Sequence, residues 1–232
     1  MTVSVDALLA SDVEASSRLH AEVLHMEFLA RCGERFLRTY HRAWIASDEG
    51  VALAAHDDSG ELVGVLLGAL RPELHFRAMV RRSGLALGFW LLVRAASHPT
   101  FARELVATRG ARYVRGLTRI GLAALRRSVR GIGSLFGKSS GARVTERGSR
   151  GAVGEVTHVM VHPASQGKGV GRALLDQVAS LGRAADLAEL VLVTPPDLDA
   201  AGFYDRLGWK RAGSIASRSG ESFVRFRLPL KE

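Results

Sequence analysis

A glycine-rich turn late in the chain has the composition of an anion-binding site. It reads QGKGVG over residues 166–171, with three glycines at alternate positions. Several backbone N–H groups of such a turn can face one anion, because no Cβ atom stands in the way. Leu174, Leu175, Val178 and Leu181 then recur at helical spacing. The turn therefore lies at a helix N-terminus, where unbonded N–H groups and the helix dipole attract phosphate.

Two familiar phosphate-binding motifs do not describe this turn. A P-loop requires Gly-Lys-Ser/Thr, whereas Lys168 is followed by Gly169 and Val170. A dinucleotide-binding turn follows an early strand and has the spacing GxGxxG, whereas this turn comes late and spaces its glycines differently. The turn on its own therefore predicts a phosphate ligand but does not indicate which phosphate compound binds.

Strands on both sides position the turn. Residues 155–161 alternate apolar and polar side chains and are rich in β-branched residues, which favours a strand. Residues 189–194 form a short apolar run, typical of a strand buried in a parallel or mixed sheet. After two prolines, residues 197–207 predict a helix that ends at Gly208.

The remaining elements complete an α/β pattern. They are a strand over 2–5, a helix from an N-cap at Ser11 to about residue 24, two helices within 28–45 divided by Gly33, an antiparallel hairpin of 51–56 with 62–70, and final strands over 209–217 and 222–228. Gly64 and Gly68 lie inside the second hairpin strand and indicate a bulge or a close backbone approach.

Composition narrows the class of protein. The chain has 232 residues, of which 47% are hydrophobic and 24% charged, so we expect one globular domain over 1–232. The single Cys32 excludes an internal disulfide and a cysteine-based zinc site, and we expect no metal and a cytoplasmic location. No export signal is indicated.

The apolar run over residues 85–93 is far shorter than the roughly 20 residues that span a bilayer, and it predicts a buried helix.

Basic charge is concentrated in one segment. Residues 71–150 contain 17 Lys and Arg but only 3 Asp and Glu, a net charge of +14, while the rest of the chain carries −5. This composition predicts a mainly helical insertion. Five arginines of residues 109–132 fall on one face of a helical wheel; they are Arg112, Arg115, Arg119, Arg126 and Arg130. The face could bind an anionic membrane surface peripherally, or it could be the solvated side of a packed helix.

The turn and the helix after residue 196 together resemble one family. QGKGVG is similar to the Q/R-x-x-G-x-G/A signature of the GNAT superfamily of acyl-CoA-dependent N-acyltransferases. Residues 159–163 resemble the end of its fourth strand, and DLDAAGFYDRLGW over residues 197–209 resembles its fourth helix. The basic insertion lies outside the resemblance or greatly enlarges a loop of the family. The implied fold is a central mixed sheet of about seven strands with flanking helices.

The resemblance implies that acetyl-CoA binds as cosubstrate. Residues 166–172, which we call the cradle, would hold its pyrophosphate through backbone amides, and the pantetheine arm would lie beside the fourth strand. The Val159 N–H would polarise the thioester carbonyl. The implied coenzyme-binding residues are Val159, Met160, Val161, Gln166, Gly167, Lys168, Gly169, Val170, Gly171, Arg172 and Asp197. Asp197 stands where the family usually has Asn, which weakens the expected contact to pantetheine.

Acyl transfer to an amine requires a base, because an ammonium group is not a nucleophile. It also requires an acid, because the thiolate leaves better when it receives a proton. Tyr204 matches the family's general acid. Glu155 matches a position where some relatives keep a catalytic glutamate. His158 and His162 are alternative bases, although strand histidines are more often structural.

The resulting prediction is an N-acetyltransferase that acts by direct attack in a ternary complex. The expected acceptor is a primary amine, such as an anionic small molecule or an amino sugar. A catalytically degenerate acyl-CoA-binding module is the alternative. Nucleic-acid binding has the charge but lacks aromatic interleaving and a motif. The sequence leaves a homodimer open.

Overall fold

A computed structural model of the protein describes residues 2–106, 152–195, 200–216 and 222–231. By contacts, the chain forms two compact units, Met1–Val93 with Ser149–Glu232, and Arg94–Gly148. The first unit holds the sheet and every candidate site residue that the structure describes. Within the described part of the second unit, Phe101 is buried. The arginine face of residues 109–132 and Asp197 lie outside the described residues.

A seven-stranded sheet forms the centre of the described residues. Its strands are β1 (Ser4–Ala7), β2 (Gly50–His56), β3 (Leu62–Ala69), β4 (Val153–Val161), β5 (Glu189–Thr194), β6 (Lys210–Ala216) and β7 (Ser222–Pro229). They lie in the order β1-β2-β3-β4-β5-β7-β6, and β4 with β5 is the parallel pair among antiparallel ones. The predicted mixed α/β sheet of about seven strands is confirmed.

Seven α-helices lie within the described residues. They are α1 (Val13–Val23), α2 (Phe28–Arg31), α3 (Glu34–Ile45), α4 (Pro72–Ser97), α5 (Pro99–Glu104), α6 (Val170–Ala184) and α7 (Ala200–Arg206). Gly33 separates α2 from α3 as predicted, with a φ of 94° that favours glycine. Of the helices described, none combines the length and the apolar character needed to cross a bilayer.

Two local predictions are wrong. Ser11 does not cap α1, because a 3-10 turn, Ala10–Asp12, precedes the helix and Asp12 is its N-cap residue. The run over residues 85–93 is helical but not buried: Leu85 is 94% exposed and Leu92 68%, and only Leu91 in this run is buried. An apolar run predicted burial, whereas the helix presents much of it to solvent.

The main core lies between the sheet and α6. Val170, Leu174 and Val178 from α6 pack against Val156 and Leu190 from the central strands. On the other sheet face, α1 and α3 bury side chains that include Leu19, Leu37 and Trp44. The cradle is thus attached to a helix that the core fixes in place.

Gly64 is a close approach between β3 and α6. A Cβ atom there would lie 2.7 Å from Val170 Cγ1 and 3.1 Å from Leu174 Cδ1. Gly68 marks the predicted irregularity, since the β3–β4 register shifts between Leu67 and Gly68. Both sequence expectations for these glycines are therefore confirmed.

We expect Gly64→Ala to destabilise the protein by about 1–3 kcal/mol, because the added methyl overpacks a closed contact. Gly88→Ala is the matched control. A Cβ atom at Gly88 meets nothing within 4 Å in the middle of α4, so this substitution should stabilise by about 0.5–1 kcal/mol through helix propensity. Thermal melts of both variants measure the difference. Equal melting temperatures would contradict the packing argument.

Candidate active site

A gap opens in the middle of the sheet. β4 and β5 pair only from Val153 with Glu189 to Val156 with Leu192. Beyond these pairs β4 continues to Val161 and β5 continues to Thr194, but the two strands do not pair with each other there. The strands diverge where the β3–β4 register shifts, because Thr157 is an extra residue between the pairs of Val156 and His158. We call the space between the unpaired ends the gap.

Two backbone N–H groups of β4 face the gap. The His162 N–H donates to the Val63 carbonyl at 2.9 Å. Hydrogen-bonded pairs recur at every second residue of an antiparallel ladder, so the backbone groups of Met160 also face β3. The N–H groups of Val159 and Val161 therefore point the other way. An extended ligand in the gap could accept hydrogen bonds from them as a strand would.

Met160 differs from its two neighbours. Its backbone groups face β3 and its side chain is fully buried. We therefore place it in the core beside the gap, and Val159 and Val161 carry the groups available to a ligand.

The cradle follows directly at the end of β4. Gly167 and Gly169 have φ of 74° and 86°, which favours glycine. Gly169 is the N-cap of α6, and the Ala173 N–H donates to its carbonyl at 3.0 Å. Helix geometry leaves the N–H groups of Val170, Gly171 and Arg172 without an intrahelical acceptor. These groups can face a phosphate.

Gln166 links the cradle to the gap. Its Nε2 donates to the Val161 carbonyl at 3.3 Å, on the edge of β4 that faces the gap. The Lys168 side chain is exposed, so its ammonium group can approach an anion from solvent. Arg172 is also exposed and lies 3.6 Å from Asp176. The cradle therefore offers backbone donors backed by two cations.

Gly171 is where the cradle, β4 and α7 meet. A Cβ atom there would lie 3.1 Å from Phe203 Cζ and 3.6 Å from Val161 Cγ2. The predicted fourth-strand end, glycine-rich turn and aromatic helix thus converge, although about 30 residues separate the turn from the helix in the sequence.

Tyr204 lies on α7 beside Phe203. Its ring is 8% exposed and packs near Trp209 and Phe226, with ring centroids 6.1 and 5.4 Å away. Burial raises the pKa of Tyr204 to about 12. Its hydroxyl therefore keeps its proton at neutral pH and can donate it, as a general acid must.

Glu155 lies on the sheet face opposite Tyr204. Val156 belongs to the core cluster that contains Tyr204, and adjacent strand residues point to opposite faces. The Glu155 charge acts on Tyr40 of α3. Burial raises the pKa of Glu155, which makes its carboxylate a stronger base. A base on one face and an acid on the other flank the gap between them.

The two histidine candidates have other partners. The His162 Nδ1 accepts from the Ala164 N–H at 3.3 Å and so caps a 3-10 turn. His158 is buried, its Nε2 lies 3.2 Å from the Tyr40 hydroxyl, and burial lowers its pKa to about 3. A histidine with so low a pKa is a weak base. Glu155 is therefore the better candidate.

Sequence reasoning missed a buried polar cluster next to Glu155. His20 of α1 and His41 of α3 are fully buried, and their Nδ1 and Nε2 atoms lie 3.0 Å apart. Tyr40 is 9% exposed and contacts His158. The available signal was the occurrence of both histidines on the apolar faces of helices.

Comparison with known proteins finds one matching family model and a set of solved structures with a similar fold. Residues 118–209 match the acetyltransferase (GNAT) family model. No curated protein matches the chain by sequence. The solved structures described next are 10–20% identical to the chain.

Three of these structures illustrate the shared fold. An N-acetyltransferase from Staphylococcus aureus is 10% identical, with a TM-score of 0.56 and 100% of both chains covered. A protein of Corynebacterium glutamicum described as histone acetyltransferase HPA2 and related acetyltransferase is 20% identical, with a TM-score of 0.55 and coverage of 99% and 97%. The protein yncA of Salmonella typhimurium, solved with its cofactor acetyl-CoA, is 14% identical, with a TM-score of 0.54 and coverage of 100% and 96%.

Proposed function

We propose, on the premise that the chain carries an acetyltransferase domain of the GNAT family, that it transfers an acetyl group from acetyl-CoA to a primary amine. The observation that carries the proposal is the gap in the sheet with the cradle at its end. The gap presents two unpaired N–H groups of one strand edge, and the cradle presents N–H groups of a helix N-terminus. A long ligand with an amide-containing arm and a pyrophosphate fits this combination.

In the proposed reaction the chain binds, orients and moves protons. Val170, Gly171 and Arg172 hold the pyrophosphate with their N–H groups. The Val159 N–H stabilises the negative charge that develops on the thioester carbonyl oxygen. Acetyl-CoA supplies an activated acyl group whose carbon–sulfur bond breaks as the new carbon–nitrogen bond forms.

Two protons move in this step. Glu155 accepts the proton that the attacking amine loses, directly or through water. Tyr204 gives its proton to the departing thiolate. Because the two side chains lie on opposite sheet faces, the acceptor approaches from the α1–α3 face and the thiol leaves toward α7. No covalent bond to the enzyme is required.

For the acceptor, we propose an amine that carries negative charge, such as an anionic small molecule or an amino sugar derivative. The motivation is the net charge of +14 in residues 71–150. The described part of this segment presents Arg77, Arg81 and Arg82 on the exposed surface of α4. From the sequence alone, we also propose that residues 109–132 contact anionic membrane surfaces.

The experiment that tests the function measures thiol release from acetyl-CoA. Pooled primary amines are offered, including polyamines, amino acids, amino sugars and their phosphorylated forms. Release above the amine-free background supports the transferase. If acetyl-CoA binds and raises the melting temperature but no pool releases thiol, the chain is an acyl-CoA-binding module and the transferase proposal fails.

Glu155→Gln is expected to change the pH dependence of this reaction. Burial raises the pKa of Glu155 above the ordinary value, which is about 4.3. The basic form is thus present above the raised pKa and is lost as pH falls through it, which gives kcat/KM an acid limb. The variant should lose about tenfold at neutral pH, below the usual 10²–10⁴ for a positioned base, because some amine is already unprotonated. The loss should shrink at high pH.

His162→Asn is the control for this assignment, since the asparagine oxygen can still accept from the Ala164 N–H. It should keep the acid limb in a pH profile of kcat/KM. If His162→Asn removed the limb and Glu155→Gln kept it, the base would be the histidine.

A further inference from the structure

Three side chains outside the reaction described above converge at one point between the protein interior and the surface. His20 lies on α1, His158 on β4, and Glu27 is the N-cap residue of α2. His20 is fully buried and His158 is 7% exposed. One ligand atom from each residue lies within 4.8 Å of the other two. We call these three residues the His–Glu cluster.

Each histidine of the cluster has one ring nitrogen that lacks a hydrogen-bond partner within the described part of the chain. Among the described residues, His20 Nε2 and His158 Nδ1 are buried and make no hydrogen bond. The Glu27 Oε2 atom lies 3.6 Å from His158 Nδ1, beyond hydrogen-bond range. Buried polar atoms are nearly always paired, so two unpaired nitrogens in a cluster with one carboxylate indicate a missing ligand.

The outer nitrogens of both rings are held in place. His20 Nδ1 lies 3.0 Å from His41 Nε2, and His158 Nε2 lies 3.2 Å from the Tyr40 hydroxyl. If each outer nitrogen carries the proton and donates it, both inner nitrogens present a lone pair. Metal-binding histidines show the same arrangement, in which a second partner fixes the ring and its tautomer.

We propose that His20, Glu27 and His158 bind a divalent transition-metal ion, with zinc as the preferred ion. Two imidazoles and one carboxylate form a ligand set that zinc uses with a fourth position open. Calcium and magnesium prefer ligand sets made up of oxygen atoms, whereas two of the three ligands here are imidazole nitrogens.

One of the three ligand distances already suits a zinc ion, and the ligand atoms, which all lie within 4.8 Å of one another, would move closer together on binding. Ligand atoms about 2.0–2.1 Å from a tetrahedral zinc are roughly 3.4 Å apart, and the His158 to Glu27 separation of 3.6 Å is already close to this. The Glu27 side chain is 43% exposed. It can rotate away to admit an ion and rotate back to bind it.

A metal here would join α1, α2 and β4 at the residue before Val159. The proposal departs from the sequence-based expectation of no metal. That expectation rested on the single cysteine, whereas the ligands come from two histidines and a glutamate that are up to 138 positions apart. It does not depend on the transferase function.

The test uses the full chain without affinity-tag histidines, stripped with a chelator. Co²⁺ is the spectroscopic probe, and Zn²⁺ is titrated by calorimetry and in competition with Co²⁺. We expect a single equivalent of either ion to bind and the bound Co²⁺ to show visible absorption. Glu27→Gln should weaken binding by about 100-fold with the fold intact, because the carboxylate is half exposed and its loss removes a ligand.

His75→Gln is the matched control, since His75 is a buried histidine outside the cluster that contacts Ser47 and Trp44. It should bind Co²⁺ as the parent does. Tyr40→Phe removes the group that orients His158 and should weaken binding by about 10- to 100-fold. The proposal is overturned if the parent shows no Co²⁺ absorption, or if Glu27→Gln binds Zn²⁺ as tightly as the parent. Neither result bears on thiol release from acetyl-CoA.

Discussion

Replacing Tyr204 with phenylalanine is expected to lower kcat by about 10²- to 10³-fold, within the range for loss of a positioned acid. The ring and its contacts remain, so the KM for acetyl-CoA and the melting temperature should change little. The physical reason is the loss of the proton that the departing thiolate receives. Steady-state thiol release with the best amine acceptor measures the effect.

Trp209→Phe is the control for Tyr204→Phe. Trp209 is 3% exposed and its ring neighbours Tyr204, so the substitution loosens the packing but keeps the tyrosine hydroxyl. It should lower the melting temperature and leave kcat within a few-fold of the parent. If Trp209→Phe reduced kcat as much as Tyr204→Phe, the tyrosine would be a packing residue rather than the acid.

Gly169→Val should raise the KM and the Kd for acetyl-CoA by about 100-fold, a loss equal to one or two charge-assisted hydrogen bonds. Gly169 has a φ of 86° at the N-cap of α6. A β-branched residue strongly disfavours this conformation, so the turn would reorganise and its N–H groups would no longer converge. Calorimetric titration with coenzyme A measures the change.

Gly60→Val supplies the matched control. Gly60 has a φ of 81°, and like Gly169 it has nothing within 4 Å of an added Cβ atom, but it lies between β2 and β3. Both substitutions should cost about 1–2 kcal/mol of stability through the same backbone strain. Only Gly169→Val should change coenzyme binding. Equal coenzyme affinity in the two variants would show that the cradle does not bind the coenzyme.

Local signals account for the parts of the structure that the sequence predicted. The cradle, β4 and the hairpin of β2 and β3 follow from glycine positions, alternation and β-branched residues, which act within a few positions of each other. The contact between Phe203 and Gly171 could be expected only from the family resemblance, because packing between segments that are distant in the sequence leaves no local pattern.

The remaining features depend on tertiary structure. The gap arises where β4 diverges from β5 at the β3–β4 register shift, and the sequences of β4 and β5 do not specify where their pairing ends. The His–Glu cluster needs α1, α2 and β4 folded together before its ligands meet. The exposure of Leu85 and Leu92 was mispredicted, because an apolar run indicates burial only on average.

The short pairing of β4 with β5 has a mechanical consequence. Strands β1 to β4 and strands β5 to β7 form two half-sheets, and among the described residues β4 pairs with β5 along residues 153–156, with one further bond from the Ala188 N–H to the Ala152 carbonyl. A ligand that bonds to the Val159 and Val161 N–H groups would extend this seam along the rest of β4. The donor would then act as a removable strand, and amide hydrogen exchange along the seam would slow when it binds.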